Sequence, residues 1–442
     1  MKTDKQVSVA IVGCGTVGGA TARLLLQDGE LLASRSGINI RVKYIVDVDF
    51  ARAESLKLDK SLFQTDLGVV LQDSEVEIVI ELIGGTTIAR NIMEQCIRAG
   101  KHIVTANKAL LAHHGAELMS MARKSSVSIA FEASCGGGIP IIRALYDGLI
   151  SNQIDALYGI VNGTCNYILT SMIKTGSTYA NALRSAQEKG LAEADPTLDV
   201  SGGDSAHKLA IMAAMAFGRR ISFDDIPVEG IDTLKSIDVA FGQELGYVMK
   251  LLAIAQRTKE GLFLRVRPSF ISSDHPLAWI SGPFNAVSVY GHCVGHTMYY
   301  GRGAGGSPTS SAVVADVISI AIGSYRHQFN QLNTWQDGDV DAVQLPIDQL
   351  TSRHYLRVNV IDRPGVFARL AAILGDHRIS LSSVLQKEPP EDAQSAAVPV
   401  VITTHSANEG NVRKALSEID RLDVCLQPSV CINIIDEHEE KL

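Results

Sequence analysis

The sequence predicts an α/β protein built from a doubly wound parallel sheet, an α+β domain and a C-terminal ferredoxin-like domain of βαββαβ order. Three observations predict this. A β-type run near the N-terminus leads through a glycine-rich loop into an apolar helix, strands and helices then alternate to about residue 140, and a different alternation begins after residue 350. We expect a first domain at 1–140, completed by about 303–328, a second at 141–302, a linker at 329–351 and a third at 352–437.

Composition and charge argue against several classes of protein. Of the 442 residues, 46% are hydrophobic and 20% are charged, and the formal net charge of -8 argues against a nucleic-acid-binding body. No apolar run reaches the length of a membrane span, and the N-terminal residues lack a signal-peptide pattern. The seven cysteines have no paired spacing and indicate reduced thiols. We therefore expect a cytoplasmic protein without nucleic-acid or membrane partners.

The glycine-rich loop follows residues 7–12 (VSVAIV) and matches G-x-G-x-x-G. In a strand–loop–helix context, the first glycine permits the tight turn, the second lets a pyrophosphate approach the backbone, and the third allows the helix to pack closely on the strand. Free N–H groups at the start of the helix can then hold phosphate. This predicts a Rossmann domain that binds a dinucleotide through Gly13, Cys14, Gly15, Thr16, Val17 and Gly18. A glycine-rich turn without a ligand is the alternative.

Two further segments bear on the dinucleotide. The second strand, 40–46, ends at Asp47, whose carboxylate can accept hydrogen bonds from the adenosine ribose, and its late position predicts an extended preceding helix or loop. Asp47 favours NAD, whereas nearby Arg52 could bind the 2′-phosphate of NADP, so the choice of coenzyme stays open. A second glycine loop with Gly303 and Gly305 leads into a helix predicted at 311–322. This loop could return the chain to the coenzyme or be a mobile connector.

The parallel sheet is predicted to continue with strands at 75–82, 101–108 and 129–132. Lys108 then falls at the carboxyl end of a strand, where such sheets bind ligands, although a solvated edge lysine is the alternative. The run after the last of these strands, Cys135-Gly-Gly-Gly-Ile-Pro140, exposes carbonyl groups that could bind a hard cation or form a wide turn.

The stretch 188–217 combines an acidic loop with a helix that is apolar on nearly every face. Such a helix is normally buried, yet Asp204 and Lys208 stand four residues apart on one face of it. A lysine among apolar side chains loses hydration and can act as a proton donor near neutral pH. With the carboxylates of the preceding loop, this predicts a site that holds an ammonium group and protonates an oxygen; the loop carboxylates are Glu193, Asp195 and Asp199. A helix capped by residues 201–203, stopped at Gly218 and bearing one ordinary ion pair is the alternative.

The rest of the chain predicts an antiparallel second domain and a third domain. Strands at 156–161, 262–268, 286–289 and 297–300 and a helix at 162–172 indicate the second domain. After the polar stretch 330–350, we expect strands at 354–361, 379–386, 398–405 and 429–435, helices at 366–374 and 411–422, and a surface loop at 388–394. This order predicts a separate small domain.

Several motifs resemble those of a known family. VAIVGCGTVGG, TANK, GIVNGTCNYIL and GLAEADPTLDVSGGDSAHKLAI closely resemble homoserine dehydrogenase over residues 7–322, and DRPGVFARLAAIL resembles an ACT domain, as in the monofunctional bacterial form. No aspartate-kinase segment precedes the first glycine loop, so the chain does not resemble the bifunctional form. The resemblance implies NAD(P)-dependent reversible reduction of L-aspartate 4-semialdehyde to L-homoserine, in threonine, methionine and isoleucine biosynthesis. It also implies a homodimer or homotetramer built through the second domain and the tail.

The resemblance further implies roles for particular residues. Lys208 would protonate the carbonyl oxygen, Lys108 would lie close to substrate and nicotinamide, and Glu193 would bind the substrate amino group, with Asp199 and Asp204 in support. A sodium ion would be held by the backbone carbonyls of Glu132, Cys135, Gly137 and Ile139, where cysteine replaces the usual valine. The ACT domain implies feedback control with L-threonine as the expected effector; a purely structural ACT domain is the alternative.

Two other functions remain open at this stage. The chain could be a non-catalytic regulator that senses a dinucleotide and an amino acid, although the combination of Lys208, Asp204 and Glu193 argues against it. A semialdehyde dehydrogenase that forms an acyl-phosphate would need a nucleophilic cysteine beside a base. Cys135 and Cys165 are the candidates, and neither has an evident histidine partner in the sequence.

Overall fold

The computed structural model describes residues 5–335, 337–338, 340–387 and 397–440. The surface loop predicted at 388–394 lies outside these ranges. Within them, no single helix is long and apolar enough to cross a membrane; by length and composition alone, two helices joined at a bend of 85°, Gly306–Ile322 and Ser324–Gln331, could do so together. All seven cysteines lie in the described ranges and are free thiols.

The first sheet has six parallel strands: the five that the sequence predicts and the two-residue strand β3, which it does not. They are β1 (Lys5–Val12), β2 (Ile38–Val46), β3 (Phe63–Gln64), β4 (Val76–Glu81), β5 (His102–Thr105) and β6 (Ile129–Ala130). Their order is β3-β2-β1-β4-β5-β6, so the topological switch point lies between β1 and β4. The carboxyl ends of these two strands are where a doubly wound sheet binds its ligand.

Helices connect these strands. They are α1 (Thr16–Gln27), α2 (Gly29–Ser36), α3 (Ala51–Ser55), α4 (Leu67–Gln72), α5 (Thr87–Arg98) and α6 (Lys108–Lys124). The additional helix α2, between α1 and β2, is the extension that the late position of Asp47 predicts. The strand predicted to reach Lys108 ends three residues earlier, and Lys108 instead begins α6. Asn107 caps this helix by accepting a hydrogen bond from the backbone N–H of Leu110, so the chain is already helical at Lys108.

The second domain is built on five strands that pair antiparallel, the arrangement that the sequence predicts. Its strands are β7 (Ile154–Ile160), β8 (Tyr247–Arg257), β9 (Leu262–Ser272), β10 (Phe284–Gly291) and β11 (Gly295–Arg302). Its helices are α7 (Ile141–Arg143), α8 (Gly163–Thr175), α9 (Tyr179–Glu188), α10 (Thr197–Val200), α11 (Gly203–Phe217) and α12 (Ser236–Glu244). The sequence did not predict β8, because a lysine interrupts its apolar run and no alternation marks a strand that is buried on both faces.

The chain then returns to the first sheet. Helices α13 (Gly306–Ile322) and α14 (Ser324–Gln331) follow β11, and α13 packs along α1. Helix α13 begins five residues earlier than predicted. The predicted linker is not free in the described part of its length: Trp335 is 1% exposed among aromatic rings, and Val343 O accepts a hydrogen bond from the N–H of Leu262.

The third domain has the predicted ferredoxin-like order. Its elements are β12 (Thr351–Ile361), α15 (Val366–Asp376), β13 (Leu381–Gln386), β14 (Ala397–Thr404), the short β15 (Ala407–Asn408), α16 (Glu409–Ile419) and β16 (Cys425–Ile435). Strand β16 pairs with β9 of the second domain, so one sheet runs β11-β10-β7-β8-β9-β16-β12-β14-β13.

Buried ion pairs also join the second and third domains. Arg357 Nε donates to Asp238 Oδ1 at 2.6 Å, and Arg267 Nη1 donates to Glu409 Oε1 at 3.0 Å. The third domain keeps a hydrophobic core of its own, and these contacts attach it to the second domain. Edge-strand pairing and these charged contacts are made between segments distant in sequence, so local patterns carry no sign of them.

Candidate active site

Helix α11 places Lys208 and Asp204 in the interior. Both residues are almost completely buried, at 8% and 4% exposure, because apolar residues cover the helix on every side. The helix ends as predicted at Gly218, in the left-handed region with φ 60°. It also begins within the predicted cap segment 201–203: Gly202 is the N-cap, with φ 88° and no side-chain cap hydrogen bond.

Asp204 bridges two lysines that come from different domains. Its Oδ2 lies 2.7 Å from Lys208 Nζ, and its Oδ1 lies 3.1 Å from Lys108 Nζ at the start of α6. Lys208 Nζ also donates to the carbonyl oxygen of Val161 at 2.6 Å. We call Lys108, Asp204 and Lys208 the lysine–aspartate cluster. The cluster joins the carboxyl edge of the first sheet to the core of the second domain.

The electrostatics of the cluster favour its charged form. Burial alone would raise the pKa of Asp204, but the charges of Lys208 and Lys108 outweigh burial and hold that pKa well below its usual value. For Lys108, burial would lower the pKa, and the charge and hydrogen bond of Asp204 raise it above the ordinary value. The carboxylate therefore keeps a protonated amine beside it near neutral pH.

Asn162 organises the carboxylates of the site, and the sequence reasoning missed it. Its Nδ2 donates to Asp199 Oδ1 at 2.7 Å and to Asp204 Oδ2 at 2.8 Å, while its Oδ1 accepts from the N–H of Cys165 and caps α8. An asparagine between a strand and a helix is a visible N-cap signal. Its second role depends on two residues about forty positions away, which no local pattern reveals.

The acidic loop before α11 divides into two parts. Asp199 joins the cluster through Asn162. Asp195 instead accepts hydrogen bonds from Thr197, and the side chain of Glu193 is exposed, with only its backbone carbonyl bonded to Gln187. The structure thus brings together Asp199, Asp204 and both lysines, and leaves the side chains of Glu193 and Asp195 exposed on the loop.

The first glycine loop has the geometry that its spacing predicts. Gly13 has φ 95°, and a Cβ there would lie 2.7 Å from the backbone of Leu82, while a Cβ on Gly18 would lie 1.9 Å from the carbonyl oxygen of Gly13. Around Gly15 there is open space. Asp47 Oδ2 accepts from the N–H of Cys14 at 2.5 Å, and Arg52 lies exposed on α3 nearby.

The second glycine loop lies beside the first. A Cβ on Gly306 would be 3.2 Å from the carbonyl oxygen of Thr16 and 3.3 Å from Ala20 in α1, and a Cβ on Gly303 would collide with Asn285. Gly305 has φ 117° and precedes α13. The loop therefore returns to the glycine-rich end of the first sheet.

Comparison with known proteins assigns the family. The family models for the homoserine dehydrogenase NAD-binding domain, homoserine dehydrogenase and the ACT domain match residues 13–132, 140–318 and 354–424. The chain is 40% identical to a homoserine dehydrogenase of Neisseria gonorrhoeae, over 98% of this chain and 100% of that one, and 42% identical to one of Pseudomonas aeruginosa, over 97% and 99%. The chain belongs to the homoserine dehydrogenase family.

The fold of this homoserine dehydrogenase is also that of a solved relative. The crystal structure of a homoserine dehydrogenase from Thiobacillus denitrificans superposes with a TM-score of 0.92, at 40% identity, over 99% of this chain and 100% of that one. The family assignment makes the protein an oxidoreductase of amino-acid biosynthesis with a nicotinamide coenzyme and an ACT domain.

The two candidate cysteines, Cys135 and Cys165, do not form the site that the rival acyl-phosphate chemistry needs. Burial raises the pKa of Cys135 to about 12, and it raises the pKa of Cys165 well above the ordinary value. Their sulfur atoms contact the hydroxyl of Ser134 and the carbonyl oxygens of Lys208 and Asp199. These are neutral, buried thiols rather than activated nucleophiles.

The loop predicted to hold sodium offers oxygen ligands from the backbone. The side chain of Glu132 caps α7 by accepting hydrogen bonds from the N–H groups of Ile142 and Arg143 at 2.9 and 2.8 Å. Its backbone carbonyl is therefore the Glu132 oxygen that a cation in this loop would use. The carbonyl of Glu132 accepts from Cys135 N–H at a long 3.4 Å, and that of Ile139 accepts from the N–H of Ile141 at 2.8 Å. Carbonyl oxygens suit a hard cation and have two lone pairs each, so the donor set fits a monovalent ion. Among the described residues, no group of three or more His, Cys, Asp or Glu side chains could hold a metal.

Proposed function

We propose that the protein interconverts L-aspartate 4-semialdehyde and L-homoserine at the lysine–aspartate cluster, with Lys208 as the proton donor. The observation that supports this most directly is the buried Lys208 ammonium, held by Asp204 and the Val161 carbonyl where the two domains meet. In the reducing direction, the aldehyde carbon gains a hydride and its oxygen gains a proton. A bound reduced nicotinamide supplies the hydride.

The residues of the cluster handle the charge and the proton. As the C–H bond forms, negative charge develops on the carbonyl oxygen, and two ammonium groups close together stabilise it. Lys208 donates its proton, the new O–H bond forms, and the lysine is left neutral until solvent reprotonates it; homoserine oxidation reverses these transfers. Asp204 raises the pKa of Lys108 and holds the Lys208 side chain in place through its carboxylate. General acid catalysis of this kind contributes on the order of a hundred- to ten-thousand-fold in rate.

Replacement of Lys208 tests this assignment. We expect Lys208→Met to lower kcat by roughly a hundred- to ten-thousand-fold while the affinity for the coenzyme stays the same. Lys250→Met is the matched control, because Lys250 is equally buried in the second domain but donates to Asn166 and the Ile280 carbonyl, away from the cluster. Turnover by Lys208→Met comparable to the parent would show that the proton comes from another group.

For the substrate amino group, we propose Glu193, with Asp199 behind it. Glu193 is exposed on the acidic loop that leads to Asp199, and its carboxylate would pair with the substrate ammonium group. Glu193→Gln should raise the KM for homoserine and leave kcat within a few-fold. Asp195→Asn is the control, since Asp195 is also an exposed carboxylate of this loop but bonds within its own turn. An unchanged KM in Glu193→Gln would remove this role.

The coenzyme would lie along the first glycine loop, with its pyrophosphate at the start of α1, its adenosine ribose near Asp47 and Arg52, and Gly303 and Gly305 beside it. We expect Arg52→Gln to raise the KM for NADP and not for NAD, because a guanidinium near the ribose attracts a 2′-phosphate. Asp47→Asn should weaken NAD selectively. Equal effects on both coenzymes would place the adenosine ribose elsewhere.

We propose that the carbonyls of Glu132, Cys135, Gly137 and Ile139 hold sodium. Gly137→Ala should abolish the site, because Gly137 has φ 52° and a Cβ there would lie 2.6 Å from the carbonyl oxygen of Gly303. Sodium-23 relaxation measured on parent and variant reports binding without reference to activity. Identical relaxation in the two proteins would contradict the site.

We also propose that the protein is a cytoplasmic homodimer or homotetramer and that its ACT domain binds L-threonine. A cavity of about 370 Å³ lies at the turn between β12 and α15, lined among others by Asp362, Arg363 and Gly365, and its charged groups suit an amino acid. Threonine titration followed by rate and by sedimentation velocity tests both points. No change in either would leave the ACT domain with a structural role only.

A further inference from the structure

Glu81 is a buried carboxylate for which the mechanism above has no role. It ends β4, next to the switch point of the first sheet, and is 0% exposed. Its Oε1 accepts from the backbone N–H groups of Ile83 and Gly84 at 3.0 and 3.3 Å, and its Oε2 accepts from Thr105 Oγ1 at 2.6 Å. No lysine, arginine or histidine forms an ion pair with it in the described part of the chain. A charged group placed here without a cation requires an explanation.

The bonds of Glu81 determine the course of the 82–85 loop. The loop leaves β4 against the first glycine loop, where Leu82 N donates to Val12 O and where Gly13 has no room for a side chain. Gly84 and Gly85 both have positive φ, 84° and 71°, and open space lies around them. The 82–85 loop therefore exposes its backbone at the carboxyl edge of the first sheet, and the Glu81 carboxylate fixes its position through hydrogen bonds.

The same carboxylate connects this loop to Lys108. Thr105 Oγ1, which donates to Glu81, accepts from the N–H of Asn107 at 3.0 Å. Asn107 Nδ2 donates to the carbonyl oxygen of Gly85 at 2.7 Å, and Asn107 is the N-cap of the helix that begins with Lys108. Glu81, Thr105 and Asn107 thus form a closed network that fixes the far end of the loop relative to the first catalytic lysine.

We propose that Glu81 is a positioning residue for the nicotinamide end of the coenzyme. It sets the distance between the 82–85 loop, which continues the dinucleotide site past the pyrophosphate, and the lysine–aspartate cluster. The adenosine end lies on the other side of the switch point, at β2, and Glu81 makes no contact there. This inference rests on the proposed placement of the coenzyme along the first glycine loop.

Binding measurements on two ligands test the proposal. We would measure Kd for the reduced coenzyme that the enzyme turns over, and for the matching ADP-ribose, which lacks nicotinamide. Glu81→Ala should weaken the whole coenzyme by about tenfold or more, because three hydrogen bonds to a charged group are lost, and should change ADP-ribose affinity less than about twofold. Glu81→Gln should recover most of the loss, since its oxygen still accepts from the loop N–H groups. Thr105→Val should show a smaller loss of the same selectivity, and it decides the question if Glu81→Ala does not fold.

Controls separate this inference from the coenzyme placement. Glu77→Gln removes a half-exposed carboxylate earlier on the same strand, paired with Arg326, and should change neither Kd. Equal weakening of both ligands, or of neither, in the Glu81 and Thr105 variants would overturn the proposal. If a Gly15→Val variant keeps full affinity for ADP-ribose, the coenzyme placement itself is wrong, and this inference falls with it.

Discussion

Asn162 gives the sharpest test of how the active site is held together. Asn162→Ala removes an amide that donates to Asp199 and Asp204 at 2.7 and 2.8 Å and accepts from Cys165 N–H at 2.8 Å. Hydrogen bonds to charged groups contribute roughly 1.5–3 kcal/mol each, and an N-cap about 1 kcal/mol. Because one side chain makes all three contacts, the terms are not additive, and we expect a loss of about 3–5 kcal/mol in unfolding free energy.

We expect Asn162→Ala to lower kcat by more than its loss of unfolding free energy alone explains. Without the shared donor, the two carboxylates repel, Asp204 turns, and Lys208 loses its fixed position; we expect kcat to fall by about a hundredfold, at the lower end of what general acid catalysis contributes. Asn162→Asp keeps an acceptor for the cap but places a third carboxylate against Asp199 and Asp204, so we expect it to lose at least as much stability as Asn162→Ala and to lower kcat at least as far.

The assay combines urea denaturation with steady-state absorbance of the reduced nicotinamide. Asn166→Ala is the matched control: Asn166 is buried on the same helix and donates to the carbonyls of Ile280, Gly282 and Phe284, away from the cluster. It should lose stability and retain kcat. If Asn162→Ala keeps kcat within about twofold, or if the control loses as much, the amide does not position the cluster.

Three further changes have outcomes that follow from single contacts. Burial above all lowers the pKa of His102 to about 4. The neutral ring therefore stabilises the fold above the unfolded pKa near 6.5, and this stability is lost as the pH falls towards 4. His102→Asn, which can still accept a hydrogen bond from Ser128 N–H, should flatten this part of the pH–stability curve measured by denaturation. Arg357→Met leaves Asp238 buried without its cation and should cost about 3–5 kcal/mol in urea titration, with partial recovery on adding Asp238→Asn. Gly18→Ala places a methyl group 1.9 Å from a backbone oxygen and should weaken coenzyme binding in fluorescence titration; unchanged affinity would refute the proposed loop geometry.

Local patterns in the chain were sufficient for much of the fold. The order strand, glycine loop, helix predicted the Rossmann turn with each glycine in its role. The steric limit at Gly18 comes from Gly13, close in sequence, whereas the limit at Gly13 comes from Leu82, which the parallel sheet brings alongside. The apolar helix around Lys208 and the left-handed Gly218 followed from composition and period. Strand β8 was missed, because a run buried on both faces has no alternation to detect.

Contacts between distant segments were beyond any such pattern. The bridge from Asp204 to Lys108, the amide of Asn162 between two carboxylates, and the pairing of β16 with β9 each join residues more than thirty positions apart. Residue types and their local spacing therefore specified which groups the protein has available for chemistry. Which of those groups meet was decided by tertiary packing, because burial removes water as a competing partner and leaves each buried charge only the partners that the fold brings within reach.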